Sequence, residues 1–289
     1  MLSFSTNSSS PSAKVKTKSF FHTFSGRTVH RLHCQPRGKI RRSFVFFHGQ
    51  GDFIDRYPDL LQPIIDEGSE IIMTDLPGHG RSCGTRGDVP SLAFVDRLFR
   101  DSFAQLTPEV PKGVCGHSMG GMIALWLFLK DPASFQFAWF SSPLLRPGYQ
   151  ISSLERLILL AAAAAFPERT RSTGVRASDC APASSDLAPP ASSPLHHARI
   201  SLRWARELVH LEQIIEDRFS LISDGPPILF TQGLKDLVCP PEFLMEKLRA
   251  QATPNVTLTN FPEALHEPFR DTSQSEFHET LHTFFSQFS

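Results

Sequence analysis

The sequence predicts an α/β protein: a mostly parallel sheet covered by helices on both faces, interrupted in its second half by an inserted helical cap. Three observations carry this. Short aromatic and β-branched runs alternate with helix-patterned stretches from residue 43 to 140, the rhythm of parallel strands joined by covering helices. The rhythm stops between about 144 and 223, where helix-like pieces follow one another, and returns at 227–232. The stretch 122–130 is apolar nearly all round, which marks a buried helix.

Taken in order, two strand-like pieces at 20–24 and 28–34 are each followed by a turn former, Gly26 and then Pro36-Arg37-Gly38. Residues 43–47 (SFVFF) form a compact strand that runs into His48-Gly49-Gln50-Gly51. Helical spacing of Leu60, Leu61, Ile64 and Ile65 follows at 57–67. A strand at 70–74 leads to Asp75-Leu76-Pro77-Gly78-His79-Gly80, and a helix at 91–106 repeats Phe94, Val95, Leu98, Phe99 and Phe103. A short apolar piece at 113–115 enters Gly116-His117-Ser118-Met119-Gly120-Gly121. Asp131-Pro132 ends the buried helix and a strand covers 135–140. The cap holds helix-like pieces at 152–165 and 200–216, separated by a Pro/Ser/Ala-rich stretch at 181–194 that reads as a mobile loop, with no strand pattern. After the strand at 227–232 come a helix at 241–251, a strand at 255–259 and a last helix at 273–288. The expected organisation is a flexible leader at 1–18, a core at 19–143 and 224–289, and the cap at 144–223.

Composition excludes several classes. With 29 basic and 29 acidic residues the formal charge is zero, which gives no pull toward nucleic acid. The five cysteines (Cys34, Cys83, Cys115, Cys180, Cys239) are scattered and odd in number, so they form neither a disulfide framework nor a zinc site. Reduced thiols point to a cytoplasmic protein. The Ser-rich first twenty residues lack the apolar run of a secretory signal. The longest apolar run, 157–166, is half the ~20 residues that span a bilayer.

The chemistry begins at 116–120. In a G-x-S-x-G turn between strand and helix, the central residue is held at strained dihedrals and leaves no room for a Cβ two positions to either side. Glycine meets that need, and Ser118 is presented at the sheet edge beside a helix N-terminus. Acyl transfer also needs N–H donors aimed at the developing oxyanion. The residue after the nucleophile, Met119, supplies one; the glycine-flanked Gln50 in the loop after the earlier strand supplies the other.

The strings HGQGDF (48–53), DLPGHGRS (75–82), GHSMGG (116–121), FSSPLL (140–145), GLKDLVCP (233–240) and ALHEPFRD (264–271) resemble, in order, the monoacylglycerol lipase and lysophospholipase-like branch of the α/β hydrolases, the serine aminopeptidase S33 group. The resemblance runs from about residue 20 to the end. It implies the α/β-hydrolase fold, a catalytic triad, an oxyanion hole and a cap over a lipophilic pocket. By the place of GLKDLVCP after a strand, where the family carries its G-x-x-D acid, the resemblance implies Asp236 as the triad acid, ahead of Asp217 and Asp224, which read as solvated surface acids. Of twelve histidines, the order serine, acid, histidine leaves His266, His278 and His282. His266 lies in a loop after a strand, where the family has its base; His278 and His282 read as an exposed helix face. His48, His79 and His117 read as loop supports.

The implied reaction is cleavage of esters of lipophilic acyl groups. His266 takes the Ser118 proton, Asp236 steadies the imidazolium, and water clears the acyl-enzyme. No metal or organic cofactor is required, and the expected partner is a small acyl ester, with transient contact between cap and membrane surface. The apolar helix at 157–166 fits either a lid that docks on lipid or a helix buried between cap and core. Alternatives with the same triad are a proline-type aminopeptidase, an acyltransferase and a non-catalytic ligand-binding homologue. A peptidase needs an acidic anchor in the cap, and Glu155, Glu168, Asp179, Asp186 and Glu207 form no cluster.

Overall fold

The computed structural model describes residues 15–148, 152–182 and 193–288. β1 (Val15–Phe24) and β2 (Arg27–Pro36) pair as an antiparallel hairpin. Its turn residues, Ser25 and Gly26, both have positive φ (47° and 75°), the two-residue geometry that matches the twist of the flanking strands. β1 begins at Val15, so residues 15–18, grouped with the leader on sequence, are tied to β2 (Val15 opposite Pro36, Lys18 opposite His33). Residues 1–14 of that expected leader lie outside the described residues.

β3 (Arg42–Phe47), α1 (Pro58–Asp66), β4 (Ser69–Thr74), α2 (Leu92–Phe103), β5 (Lys112–His117), α3 (Met119–Lys130) and β6 (Phe137–Ser141) then alternate. The cap contributes α4 (Ser153–Ala165), β7 (Thr170–Ser172), α5 (Ala177–Cys180), β8 (Arg199–Ser201) and α6 (Leu202–Arg218). The chain closes with β9 (Ile228–Gly233), α7 (Glu242–Arg249), β10 (Val256–Phe261) and α8 (Gln274–Phe285). Eight strands form one sheet in the order β1-β2-β4-β3-β5-β6-β9-β10. All pairs from β4 to β10 are parallel; β2 meets β4 antiparallel.

The side-chain alternation of β3 separates the two core layers. Phe44 and Phe46 face a cluster with Tyr57, Trp139 and Phe285 under α1 and α8. Val45 and Phe47 face the other cluster, with Val114, Phe128 and Trp204, under α2, α3 and the cap. α3 is buried on nearly every side, as its composition predicts.

The cap differs from expectation in one respect. β7 and β8 form a two-stranded antiparallel ribbon where the sequence shows no strand pattern. Three residues are too few to display a period of two, and the strands lie far apart in sequence. Of the Pro/Ser/Ala-rich stretch, 183–192 lie outside the described residues.

α6 is fastened to the core at its start. Ser201 N–H donates to Gly87 O (2.9 Å), Ser201 Oγ caps the helix by accepting from Trp204 N–H, and Arg203 forks onto Asp88. Glu207 accepts from Leu92 N–H at 3.1 Å. α4 packs on α6 and turns Leu154, Leu157 and Ile158 outward at 66%, 63% and 58% exposure. Of the two sequence readings of this helix, burial between cap and core is therefore not the one adopted. Among the described residues no helix is long and apolar enough to cross a membrane.

Candidate active site

β5 ends at His117 and α3 begins at Met119, so the chain reverses at Ser118 alone. Ser118 sits at φ 57°, ψ −123°, a region L-residues avoid unless surrounding structure holds them there. The restraints are visible: Ser118 N–H donates to Ser141 O (2.9 Å), and Ser118 O accepts from Met122 N–H and Leu144 N–H (3.0 Å each). The flanking glycines are sterically required. A Cβ on Gly116 would lie 2.3 Å from Gly120 O, and one on Gly120 would lie 2.2 Å from Phe47 O. Gly120→Ala is therefore expected to destabilise the protein by about 3 kcal/mol, the upper range for overpacking. An unchanged urea midpoint would show that the elbow has slack.

Asp236 lies in the turn after β9 and His266 in the loop after β10; both are buried. His266 Nδ1–H donates to Asp236 Oδ2 at 2.7 Å. The carboxylate is otherwise well served: Oδ1 accepts from Val238 N–H and Cys239 N–H (2.8 Å each), and Oδ2 from Gln232 Nε2 (3.1 Å). Because a carboxylate only accepts, Nδ1 carries the proton and Nε2 is the ring nitrogen left to accept one. Burial disfavours charge on His266, but the Asp236 carboxylate outweighs it and holds the imidazole pKa well above the ordinary value.

Ser118 and His266 line the same cavity, of about 300 Å³, under the cap. Its walls include Leu144, Leu145, Leu159, Leu208 and Val209. The Cys239 thiol lies against both the Ser118 and the His266 side chains. Gln50 and Met119 also meet here. A Cβ on Gly49 would sit 3.3 Å from Ser118 Cβ, so the loop after β3 runs directly past the serine. Among the described residues the backbone N–H groups of Gln50 and Met119 have no hydrogen-bond partner. Gln50 is half-buried and Met119 buried, and both N–H groups are open to completion by water or a ligand.

His48, His79 and His117 sit where loop supports would, whereas His278, expected on an exposed helix face with His282, is half-buried with its Nε2 enclosed. His48 Nε2 accepts from Leu76 N–H (3.0 Å) and its Nδ1 reaches Gly49 O (2.8 Å). His79 Nδ1 reaches Pro77 O. The His117 ring packs 4.8 Å from that of His266, and burial with that neighbour keeps its pKa well below the usual value. His282 pairs with Glu67 at the surface, away from Ser118.

Two features escaped the sequence reading. Cys239 is the first. Burial raises its thiol pKa, so it stays a neutral thiol beside the serine. The second is a buried polar network on the cavity wall: Asp52 accepts from Tyr57 Oη and Arg56 (2.7 Å each), and Arg56 pairs with Glu267 (2.9 Å). Asp52 and Arg56 stand four apart beyond the Gln50 loop, a charged pairing that could have been noticed; its link to Glu267 spans 211 positions and could not. Among the described residues, the group whose donor atoms lie close enough for a metal is Asp236, Cys239 and His266, within 4.8 Å. The Asp236 and His266 atoms already bind each other, an arrangement that orients a base.

The family model for serine aminopeptidase, S33, matches residues 38–273. The chain belongs to this family of α/β hydrolases. Monoacylglycerol lipase of Mycolicibacterium smegmatis is 28% identical over 83% of this chain and 84% of its own length. Monoglyceride lipase of Rattus norvegicus is 26% identical over 88% and 86%. An uncharacterised abhydrolase domain-containing protein of Dictyostelium discoideum is 25% identical, and this chain spans 26% of its length. Among solved structures, monoacylglycerol lipase of Paleococcus ferrophilus gives a TM-score of 0.81 at 23% identity, covering 90% of this chain and 99% of that one. A soluble variant of Saccharomyces cerevisiae monoglyceride lipase, in complex with a substrate analog, gives 0.80 at 17% identity, covering 93% and 94%. These structural likenesses establish the α/β-hydrolase fold.

Proposed function

We propose that this α/β hydrolase cleaves carboxylic esters of lipophilic acyl groups through an acyl-enzyme on Ser118. The observation that carries the reading is the buried His266–Asp236 pair at 2.7 Å, opening on the same cavity as a strained serine. In this mechanism His266 Nε2 takes the Ser118 proton as Oγ attacks the acyl carbonyl. The charge that forms on the carbonyl oxygen is received by the Gln50 and Met119 N–H groups. The imidazolium, steadied by Asp236, protonates the leaving alcohol, and water then attacks the acyl-enzyme by the same route in reverse. No step calls for a metal or organic cofactor.

The leucine-lined wall suits an acyl chain, and the Arg56–Glu267 pair offers an alcohol charged hydrogen-bond partners. The relatives named as monoacylglycerol or monoglyceride lipases support the same substrate class. A panel of p-nitrophenyl esters, with monoacylglycerol and lysophosphatidylcholine, tests it. Turnover of short and medium esters is expected; turnover of aminoacyl anilides alone would place the chain with the peptidases. An aminopeptidase needs a free cap acid to anchor an amine. Glu212, a cap acid on the cavity wall, has Arg146 beside it at 3.7 Å.

The outward face of α4 supports the further proposal that the cap rests transiently on a lipid surface. Leu154, Leu157 and Ile158 together present more apolar area than an isolated exposed leucine, and partial burial of such a face in the headgroup region is favourable at ~25 cal/mol per Å². The double substitution Leu157→Glu, Ile158→Glu is expected to reduce co-sedimentation with phosphatidylcholine vesicles at least about tenfold, leaving hydrolysis of a soluble ester unchanged. Equal vesicle binding by the two proteins would remove the proposal.

A further inference from the structure

We infer that Trp204 of the cap is a positioning residue for both oxyanion donors, coupling the seated cap to a competent site. The inference rests on the reading that the Gln50 and Met119 N–H groups receive the oxyanion. The indole Nε1–H, with no acceptor capacity of its own, points at Gln50 Oε1 and Met119 Sδ, 3.2 Å from each. One donor thus touches the side chains of the two residues whose backbone N–H groups are open beside Ser118. Trp204 is fully buried, in the first turn of α6, and that turn is fixed to the core through Gly87 and Asp88.

The loop needs such a clamp because of its own sequence. Gln50 lies between two glycines, and glycine leaves adjacent peptide planes free to rotate. The Gly49–Gln50 peptide plane is held from the core, where Gly49 O meets His48 Nδ1 (2.8 Å) and Asp52 N–H (3.3 Å), but among the described residues the hydrogen bonds of the Gln50 side chain go to the cap. The cap adds restraint at three points. Gln50 Nε2 donates to Arg199 O in β8 at 2.7 Å, Gln50 Oε1 receives the indole N–H, and Gly51 O accepts from His197 N–H at 3.0 Å. The packing is close enough that a Cβ on Gly51 would lie 1.8 Å from His197 O. Gripped at both ends of its amide, the Gln50 side chain is held in the cap while its backbone remains beside the serine. Met119 is held by α3 in any case, so the indole contact there fixes the distance between the two donors. Preorganised donors stabilise the transition state because they need not turn toward the charge as it forms.

The test uses Trp204→Phe, which keeps an aromatic ring and deletes the donor, Gln50→Met, which deletes the acceptor, and their combination. Each is assayed on a short soluble ester for kcat and KM, and for inhibition by a trifluoromethyl ketone, which forms a tetrahedral adduct with the serine. A displaced donor costs less than a deleted one, so kcat is expected to fall about tenfold in either single variant, against the ~10²–10³ of outright loss. Affinity for the ketone should fall by the same factor while KM moves less than about twofold. The double variant should lose less than the product of the two single losses, since both remove the shared indole–Gln50 contact. A rise in KM with kcat intact, or fully additive losses, would make Trp204 a packing residue and overturn the inference. Ser118→Ala separates the two levels: if it retains turnover and adduct formation, the catalytic reading itself fails. If it abolishes both while Trp204→Phe behaves as wild type, only the clamp fails.

Discussion

Ser118→Ala is expected to lower kcat on a short p-nitrophenyl ester by about 10⁶, the order seen when the nucleophile of a serine triad is removed, and to abolish labelling by a fluorophosphonate probe. The substitution is mild for the fold. Alanine carries the same Cβ as serine, so the strain of φ 57° is neither added nor relieved, and the backbone bonds to Ser141, Met122 and Leu144 are untouched. The thermal midpoint should therefore be preserved, and loss of activity can be assigned to the hydroxyl. The nearest rival nucleophile is Cys239, whose thiol lies against the same imidazole. Two facts count against it. Burial raises its pKa, which keeps the reactive thiolate scarce. It also sits in the turn after β9 rather than at the strained strand-to-helix turn that Met119 N–H follows directly. Residual activity above about one part in a hundred in Ser118→Ala, removed by a thiol reagent, would transfer the nucleophile to Cys239 and sink the serine mechanism.

The difference between Ser118 and Cys239 shows where the sequence was legible. Ser118 carries a local signature: glycine at 116 and 120 because Gly120 O and Phe47 O leave no room for a Cβ. Local steric necessity can be read from a string of five residues. The sheet was legible for the same reason, since the composition of β3, β4, β5 and β9 reports burial on both faces. Cys239 carries no such signature. Its place beside His266 depends on the turn that wraps Asp236, and a cysteine there looks like one on any loop. Trp204 is harder still: an apolar residue at a helix start, whose meaning comes from Gln50 lying 154 positions earlier. The β7–β8 ribbon pairs residues some thirty positions apart with three residues on each side, below the length at which alternation can appear. Contacts set by cap docking were therefore the part the sequence could not show.

Asp236→Asn is expected to lower kcat by about 10⁴ on the same ester, the cost of losing tautomer control in a serine triad, and to change the pH profile in a defined direction. Asp236 holds the proton on His266 Nδ1 and leaves Nε2 able to accept. Asparagine can instead offer an N–H to Nδ1, which moves the ring proton to Nε2, where it faces Ser118 and blocks proton removal. The sign of the pH effect follows from the raised His266 pKa. The protonated ring cannot act as a base, so wild-type kcat/KM should climb with pH through a midpoint above 6.5. Without the carboxylate, burial is left to dominate, and the residual activity should titrate with a midpoint below the wild-type one. Stability changes in the matching sense. A folded-state pKa above the unfolded value contributes stability that is complete below about pH 6.5 and is lost as pH rises through the folded value. The stability deficit of Asp236→Asn, measured by urea unfolding, should accordingly shrink from acid toward alkaline pH. A deficit that does not vary with pH, together with an unshifted acid limb in kcat/KM, would mean that Asp236 does not set the charge of His266, and the orienting role assigned to it would fall.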